Sequence, residues 1–261
     1  MTAEFIILGS GSSAGVPAIG NYWGACDPAN PKNRRTRPSV AVVTPQTCVV
    51  VDTGPDFRDQ MNRENLPCPE AILYTHAHAD HVAGIDELRT LQRIHKRKFP
   101  VFSDAHTLKS LKERVGYMFR DVENGFYPAV CEENTLKIGQ NWHFKDVSAH
   151  IFEQDHGTIH SLGLRFGDIG YSTDFKRLND AAIAALNGVD IWIADAAGFE
   201  NADNPVHACI DDVIRYNREI GAKTVYLTHL PPTMDYQALV DRLPPGFAPA
   251  YDSLRLEIRG L

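Results

Sequence analysis

The chain has 261 residues, a length that allows one or two domains. Hydrophobic residues make up 43% and charged residues 23%, a composition that is typical of a folded globular protein and excludes an intrinsically disordered chain. Lys and Arg number 26 against 33 Asp and Glu, so the formal net charge is −7, which argues against a protein that coats duplex nucleic acid.

Short β-rich runs alternate with amphipathic helices along the chain. Runs of Val, Ile and aromatic residues between Gly, Pro, Asn or Asp predict strands at Phe5–Leu8, Val40–Val43, Cys48–Asp52, Ala71–Thr75, Trp142–Phe144, His150–Phe152, Leu162–Phe166, Ile169–Ser172, Ile191–Asp195, Thr224–Thr228 and Leu254–Ile258. Gly167-Asp168 predicts a hairpin turn between two of them. Apolar residues at helical spacing predict helices at Ile85–Lys96, Ala105–Val115, Lys176–Leu186, Pro205–Ile220 and Tyr236–Arg242. This alternation predicts an α/β or α+β fold in which helices cover mixed sheets.

Three further features bear on where the protein works. No run of residues approaches the roughly 18 apolar positions that a membrane span requires. The segment Met1–Leu8 has no basic stretch before its apolar residues, so no secretory signal is predicted. The cysteines number five, are dispersed and form no CxxC pair, which predicts free thiols in a reducing cytoplasm.

The strongest chemical signal is the segment His76-Ala77-His78-Ala79-Asp80-His81, which follows an apolar strand and precedes a helix. Imidazoles and a carboxylate packed this densely are costly unless a cation binds them, and such ligands without thiolate suit Zn, Mn or Fe. His76 and His78 can point to one side of an extended segment, while Asp80 and His81 can serve a neighbouring ion. The spacing therefore predicts two metal ions, and a solvated histidine-rich turn is the alternative.

This HxHxDH pattern resembles that of the metallo-β-lactamase-fold hydrolases, and the resemblance extends over essentially the whole chain. It implies one domain, residues 1–261, built as an αββα sandwich of two mixed β-sheets flanked by helices. It also implies later ligands in a fixed order, which His156, Asp174 and His229 match. One ion would then be bound by His76, His78 and His156, and the other by Asp80, His81 and His229. Asp174 would bridge the two ions.

Two more residues match motifs of the same family. Asp52 in Val50-Val51-Asp52-Thr53-Gly54 matches a carboxylate that orients the metal ligands through hydrogen bonds, and the alternative is an Asp in a turn. His207, at the start of a predicted helix, matches a histidine of the phosphodiesterase branches that binds no metal. That histidine contacts the phosphoryl oxygen or protonates the leaving oxygen. The alternative for His207 is an exposed histidine near a helix cap.

Within this superfamily, the chain is similar to the phosphoribosyl cyclic phosphodiesterases of phosphonate breakdown. The similarity lies in the opening loop Leu8–Pro17, in Arg34–Ser39, and near the end of the chain in Leu243–Phe247 and Tyr251-Asp252. Those enzymes also hold a structural zinc on a cysteine-rich early loop and a later histidine. Here the loop keeps only Cys26 and position 232 is proline, and one thiol cannot build a tetrahedral zinc site. We therefore expect no structural zinc.

The resemblance implies a dinuclear metal-dependent hydrolase of a small phosphodiester, such as phosphoribosyl 1,2-cyclic phosphate or a cyclic nucleotide. Two divalent ions, Zn or Mn with Fe as a further option, would activate water. Asp80 would bind one ion and orient the nucleophile. His207 would bind the substrate's phosphoryl group or protonate the leaving oxygen. The expected partner is this small substrate and a homodimer is an open option, whereas duplex nucleic acid and membrane are not expected.

Other functions of the same fold remain open at this point. A tRNA 3′-processing nuclease would carry a basic inserted arm, which is not evident in the sequence. A thioester, lactone or lactam hydrolase would not need His207, and a redox di-iron protein would carry a carboxylate in place of His78. A non-catalytic accessory protein of cofactor biosynthesis is the last alternative. The basic stretch from Leu88 to Arg114 could steer anions, or be a solvated helix face, and its residues receive no individual roles.

Overall fold

The computed structural model describes residues 3–121, 128–198 and 204–261, which form two seven-stranded sheets. The strands are β1 (Ala3–Gly9), β2 (Ser39–Val43), β3 (Cys48–Val51), β4 (Ala71–Leu73), β5 (Phe99–Ser103), β6 (Cys131–Thr135), β7 (Asn141–Phe144), β8 (Val147–His156), β9 (Ile159–Phe166), β10 (Ile169–Ser172), β11 (Ile191–Asp195), β12 (Thr224–Thr228), β13 (Phe247–Pro249) and β14 (Leu254–Ile258). The first sheet has the order β14-β1-β2-β3-β4-β5-β6 and the second has the order β13-β12-β11-β10-β9-β8-β7.

Each sheet has an antiparallel part and a parallel part. In the first sheet, β14, β1, β2 and β3 pair antiparallel, and β3 to β6 pair parallel. In the second sheet, β7 to β10 pair antiparallel and β10 to β13 pair parallel. Parallel neighbours end at the same sheet edge, so the residues that follow β3, β4, β10, β11 and β12 are brought towards one edge of the molecule.

Seven helices cover the outer faces of the sheets in the described ranges. They are α1 (Phe57–Arg63), α2 (Ala79–Val82), α3 (Leu88–His95), α4 (Ala105–Val115), α5 (Asp180–Leu186), α6 (Ile210–Ile220) and α7 (Tyr236–Arg242). Short 3₁₀ turns occur at Pro31–Asn33, Ile85–Glu87 and Gly116–Met118. No helix among these combines the length and the apolar character that would let it cross a bilayer.

Three apolar layers hold the two sheets and their helices together. The inner faces of both sheets pack together, with Val51 and Leu73 from the first sheet against Leu164 and Tyr171 from the second. The outer face of the first sheet packs on α1 to α4, and the outer face of the second packs on α5 to α7. Because strand side chains alternate between faces, both faces of each sheet are apolar and buried. The fold is therefore the αββα sandwich that the family resemblance implies.

Most of the predicted elements are present, and the differences have local causes. Residues 169–172, 191–195, 224–228 and 254–258 form strands with the predicted bounds, and the hairpin at Gly167-Asp168 is confirmed by the antiparallel pairing of β9 and β10. The predictions missed α1, α2, β5, β6 and β13. Helix α5 begins at Asp180 instead of Lys176, because the Asn179 side chain accepts a hydrogen bond from the backbone N–H of Ala182 and caps the helix there.

The helix predicted at Pro205–Ile220 is wrong in its first turn, since α6 begins at Ile210. The Asn204 side chain does accept backbone hydrogen bonds, from Val206 and His207, but it forms a turn before the helix. The backbone N–H of Ala208 donates to the carbonyl oxygen of Phe175, so this segment is hydrogen-bonded to the loop after β10 and does not extend the helix. His207 therefore lies in an irregular segment before α6, and not at the start of a helix.

Candidate metal centre

The predicted ligands lie where parallel strands of both sheets end. β3 ends just before Asp52, β4 leads into the loop that carries His76, and β10 and β12 end shortly before Asp174 and His229. The backbones of Asp52, Asp174 and His229 are left-handed, with φ of 64°, 50° and 59°. Such conformations cost free energy in residues other than glycine, and they concentrate at functional sites.

Asp174 lies at the centre of the cluster. Its Oδ2 is 3.7 Å from His76 Nε2 and 3.5 Å from His156 Nε2. Its Oδ1 is 3.3 Å from His81 Nε2 and 3.5 Å from His229 Nε2. One carboxylate therefore faces two different pairs of imidazoles through its two oxygens, which is the arrangement of a bridging ligand.

Two sets of side chains surround this carboxylate, and within each set the possible ligand atoms all lie within 4.8 Å of one another. We call one set the first group: His76, His78, His156 and Asp174. We call the other the second group: Asp80, His81, Asp174 and His229. The structure thus brings together all seven residues of the ligand set that the resemblance implies.

Asp52 orients ligands of both groups through hydrogen bonds on the side of the rings away from Asp174. Its carboxylate accepts hydrogen bonds from the backbone N–H of Thr75 (2.8 Å), the hydroxyl of Thr75 (2.8 Å) and Nδ1 of His81 (2.7 Å). Because the Thr75 hydroxyl gives its only proton to Asp52, its oxygen accepts the proton on His76 Nδ1, 3.0 Å away. With Nδ1 of each ring engaged in this way, Nε2 is the nitrogen of His76 and of His81 that faces Asp174 and is placed to bind a metal.

His156 is oriented in the same way by the main chain. Its Nδ1 donates to the carbonyl oxygen of Val206 (2.8 Å), which can only accept, so Nε2 carries the lone pair. That Nε2 is 3.2 Å from Nδ1 of His78. His78 is the exposed member of the first group, and it closes the group on the solvent side.

The donor atoms of the cluster fit a pair of divalent cations. Nε2 of His76, His81 and His229 is buried and has no hydrogen-bond partner in the described part of the chain. Leaving such atoms unpaired costs free energy that a bound metal would recover. Burial lowers the pKa of His76 well below its usual value, and burial also lowers that of His156, so both rings are neutral, as metal ligands must be. Nitrogen and carboxylate donors without thiolate match Zn, Mn or Fe.

His207 lies beside the second group and is held by a residue that the sequence analysis did not single out, Asp195. His207 Nδ1 donates to Asp195 Oδ2 over 2.7 Å, and the His207 ring stacks on His229 with the centroids 4.6 Å apart. Burial opposes protonation of His207, but the Asp195 carboxylate raises the pKa of His207 above its usual value. The only sequence signal for Asp195 was its place at the end of a strand, next to strands that end near Asp174 and His229.

The open side of the cluster is formed by few side chains. His78 is exposed, the Asp80 side chain is 11% exposed and the His207 side chain is 16% exposed, whereas Asp174 and His229 are each 2% exposed. A substrate can therefore reach the cluster from the side where His78, Asp80 and His207 meet.

The loop around Cys26 is joined directly to the segment after His229. The Cys26 thiol and the backbone N–H of Ala25 both donate to the carbonyl oxygen of Pro232, over 3.3 Å and 2.9 Å. Buried Arg35 donates from Nη1 to the carbonyl oxygen of Met234, over 2.8 Å. Direct hydrogen bonds thus join the loop around Cys26 to the segment after His229. From the sequence, no structural zinc is expected at this place.

The basic stretch contributes one contact to the centre. Lys109 and Lys112 form ion pairs with Glu113 and Glu133 on the protein surface. Arg114 donates from Nη1 to the carbonyl oxygen of Ala77, between His76 and His78. The stretch is therefore largely a solvated helix face, and Arg114 braces the loop that carries these two histidines.

Proteins of known structure and sequence share this fold. The family model of the β-lactamase superfamily domain matches residues 47–230. A solved diphosphatase from the PhnP family is 33% identical, covers 99% of this chain and 98% of its own, and has a TM-score of 0.87.

Two curated relatives match at lower identity. A protein named octanoyltransferase, from Porphyromonas gingivalis, is 29% identical over 258 residues, or 95% of this chain, but the chain spans only 50% of that relative's length. The coenzyme PQQ synthesis protein B of a Methylobacterium species is 26% identical over 267 residues, covering 88% of this chain and 81% of the relative.

Proposed function

Because the chain belongs to the β-lactamase superfamily, we propose that it is a dinuclear metal-dependent hydrolase that cleaves a small phosphodiester. The observation that carries this proposal is the Asp174 carboxylate between two groups of oriented imidazoles, with His207 at the open side. The name of the similar diphosphatase of the PhnP family adds support for a phosphoryl substrate. The first group would bind one ion and the second group the other.

Two bound divalent ions would act as Lewis acids and would lower the pKa of water towards neutrality. Asp80 lies at the open side, where its carboxylate can orient the attacking water while also binding a metal. His207 has its Nδ1 occupied by Asp195, so Nε2 is the nitrogen that can meet the substrate. As the oxygen of water forms a bond to phosphorus, the bond from phosphorus to the leaving oxygen breaks. The leaving oxygen takes the proton from His207 Nε2.

The proposed substrate class is a cyclic phosphodiester of small size, such as phosphoribosyl 1,2-cyclic phosphate or a cyclic nucleotide. In both compounds the leaving oxygen is an alkoxide or hydroxyl oxygen of a sugar, which is a poor leaving group without a proton. A proton donor at the open side of the centre serves such substrates, and thioester or lactone hydrolysis does not require a phosphate-directed histidine there. His207 and its Asp195 partner therefore favour the phosphodiester.

Phosphorus NMR of zinc-loaded and manganese-loaded protein with phosphoribosyl 1,2-cyclic phosphate and with a cyclic nucleotide tests the proposal. We expect ring opening of at least one of them to a phosphomonoester, with two metal ions per chain. His207→Ala should lower turnover about 100-fold or more while keeping both ions. The matched control is His143→Ala, since His143 is exposed on β7.

Two outcomes would contradict the proposal. Protein that carries two ions and opens neither ring would exclude this substrate class and return thioesters, lactones and a non-catalytic role to consideration. Equal loss of activity and of bound metal in His207→Ala would make His207 a metal ligand instead of a proton donor.

A further inference from the structure

We propose that Asp195 is a positioning residue that fixes two imidazoles of the centre at once, the proton donor His207 and the second-group ligand His229. The role in proton donation rests on the function proposed above. Asp195 is the last residue of β11 and is fully buried. A buried carboxylate costs free energy unless charged or hydrogen-bonding partners compensate for it, so its partners indicate why it is there.

The partners of Asp195 divide between its two oxygens. Oδ2 accepts hydrogen bonds from His207 Nδ1 (2.7 Å) and from the backbone N–H of Phe175 (3.2 Å). Oδ1 has no hydrogen-bond partner in the described ranges, and it lies 3.7 Å from Nδ1 of His229, which also has none. A buried acceptor, Asp195 Oδ1, and a buried ring nitrogen that can donate, His229 Nδ1, thus face each other.

This geometry fixes the tautomers of both rings. A carboxylate can only accept, so the nitrogen of His207 that faces Asp195 carries a proton and Nε2 is left for the substrate side. His229 Nε2 faces Asp174 and Asp80, at 3.5 Å and 3.6 Å, so it must hold the lone pair when it binds a metal. Its proton is then on Nδ1, directed at Asp195 Oδ1, the arrangement of a metal-bound histidine backed by a carboxylate.

Among the described residues, no other contact of His207 selects the nitrogen that carries its proton. Its backbone is held by Asn204, whose side chain accepts from the His207 N–H, and by Lys176, whose Nζ donates to the His207 carbonyl oxygen. The ring itself is packed by His229 and by His156, with the centroids 4.6 Å and 5.0 Å away. Packing restricts where the ring lies, but among these contacts Asp195 alone determines which nitrogen carries the proton.

The substitution Asp195→Asn tests this inference, because an amide offers one acceptor and one donor group where the carboxylate offers two acceptors. Whichever way the amide lies, its NH₂ faces one of the two rings. The probe is long-range ¹H–¹⁵N NMR of zinc-loaded protein with ¹⁵N-labelled histidine, at alkaline pH where His207 is neutral. In the unsubstituted protein we expect the proton on Nδ1 of both rings, and in Asp195→Asn we expect at least one ring to lose it.

A rate measurement accompanies the spectra. Where zinc-loaded protein cleaves diesters, Asp195→Asn should lower kcat about 100-fold or more for a cyclic sugar phosphate, with KM little changed. A p-nitrophenyl diester, whose leaving group needs no proton, should lose much less. The matched control is Asp190→Asn, since Asp190 lies just before β11 and pairs with Lys223 on the surface. It should leave the ring protons and the ratio of the two rates unchanged.

The NMR spectra test the positioning role of Asp195 independently of the proposed function. If both rings keep the Nδ1 proton in Asp195→Asn, or if His207 carries its proton on Nε2 in the unsubstituted protein, the inference is overturned. Equal rate losses on the two diesters would also overturn the positioning of the proton donor. Failure of the unsubstituted, metal-loaded protein to cleave any phosphodiester would contradict the proposed function alone.

Discussion

The two groups of ligands on either side of Asp174 differ in charge and in exposure. The first group contains three imidazoles, one of them the exposed His78, and shares one carboxylate. The second group contains two carboxylates and two imidazoles; His81, Asp174 and His229 are buried, and the Asp80 side chain is 11% exposed. Burial lowers the pKa of His76 and His156, whereas the pKa of His229 is raised to about 9 because Asp174 and Asp80 outweigh the opposing effect of burial.

This difference indicates how the groups bind metal. The first group is neutral apart from the shared Asp174 and offers lone pairs without first losing protons. In the metal-free chain the second group compensates its carboxylates with protons on imidazoles, and a cation must displace those protons. A second ion would thus be bound by more negative charge, and its binding would depend more strongly on pH. Substitutions in the two groups can remove this contrast or measure it.

The largest effect is expected from Asp174→Asn, which removes the contrast altogether. The amide offers one acceptor oxygen, so it can face the first group or the second but not both. We expect bound metal to fall below two ions per chain and hydrolysis to be abolished, as measured by elemental analysis and phosphorus NMR. Asp168→Asn is the control, since Asp168 lies in the hairpin turn between β9 and β10. Two bound ions in Asp174→Asn would contradict the bridging role.

Paired substitutions separate the two groups. His78→Ala should remove the first ion and keep the second, and His229→Ala should do the reverse, so each variant should carry about one ion per chain. Both variants should lose hydrolysis, because the proposed reaction uses both ions. Isothermal titration with Zn²⁺ measures the stoichiometry. Full loss of metal in His78→Ala would show that the groups do not bind independently.

The same variants test the predicted pH dependence. His229 holds a proton below about pH 9 in the metal-free chain and must release it when Nε2 binds a metal. His81 must release a proton as well, because Asp174 and Asp52 outweigh burial and raise the pKa of His81 well above its usual value. The affinity of the second group, measured in His78→Ala, should therefore rise by about tenfold or more per pH unit between neutral pH and about pH 9. The affinity of the first group, measured in His229→Ala, should change little over that range, since burial lowers the pKa of His76 and His156. Equal slopes in the two variants would refute the contrast.

The smallest effect is expected from Thr75→Val, which leaves every ligand in place. The substitution removes the hydroxyl that donates to Asp52 and accepts from His76 Nδ1. We expect the first group to bind zinc about 10-fold more weakly and the second group to be nearly unchanged, because His81 keeps its own hydrogen bond to Asp52. Thr75→Ser keeps the hydroxyl and should restore the affinity. If the second group weakens more than the first, the assignment of Thr75 to His76 is wrong.

How much of this centre the sequence could predict depended on how local the signal was. His76, His78, Asp80 and His81 stand together in six residues, so their type and spacing alone indicated metal. His156 and His229 carry no such signal by themselves, and only their order behind the motif singled them out. Asp195 was missed because a single Asp at a strand end is typical of a turn, and its partners come from distant parts of the chain.

The fold shows the same dependence on local signals. Strands with apolar runs, such as β11 and β12, were predicted with their bounds, because apolar runs between turn residues are distinctive. β5 contains Pro100, and β6 has the polar sequence Cys131-Glu132-Glu133-Asn134-Thr135, so neither resembles a strand in isolation. The start of α6 was misplaced because an Asn before Pro predicts a helix cap as well as the turn that it forms here.

The most direct test of the account is the position of the metal ions themselves. Crystals of manganese-loaded or zinc-loaded protein, measured by anomalous X-ray scattering, should show two peaks roughly 3.5–4 Å apart. One peak should lie among His76, His78 and His156, the other among Asp80, His81 and His229, with one Asp174 oxygen on each. A single peak, or two peaks on the same side of Asp174, would contradict the account.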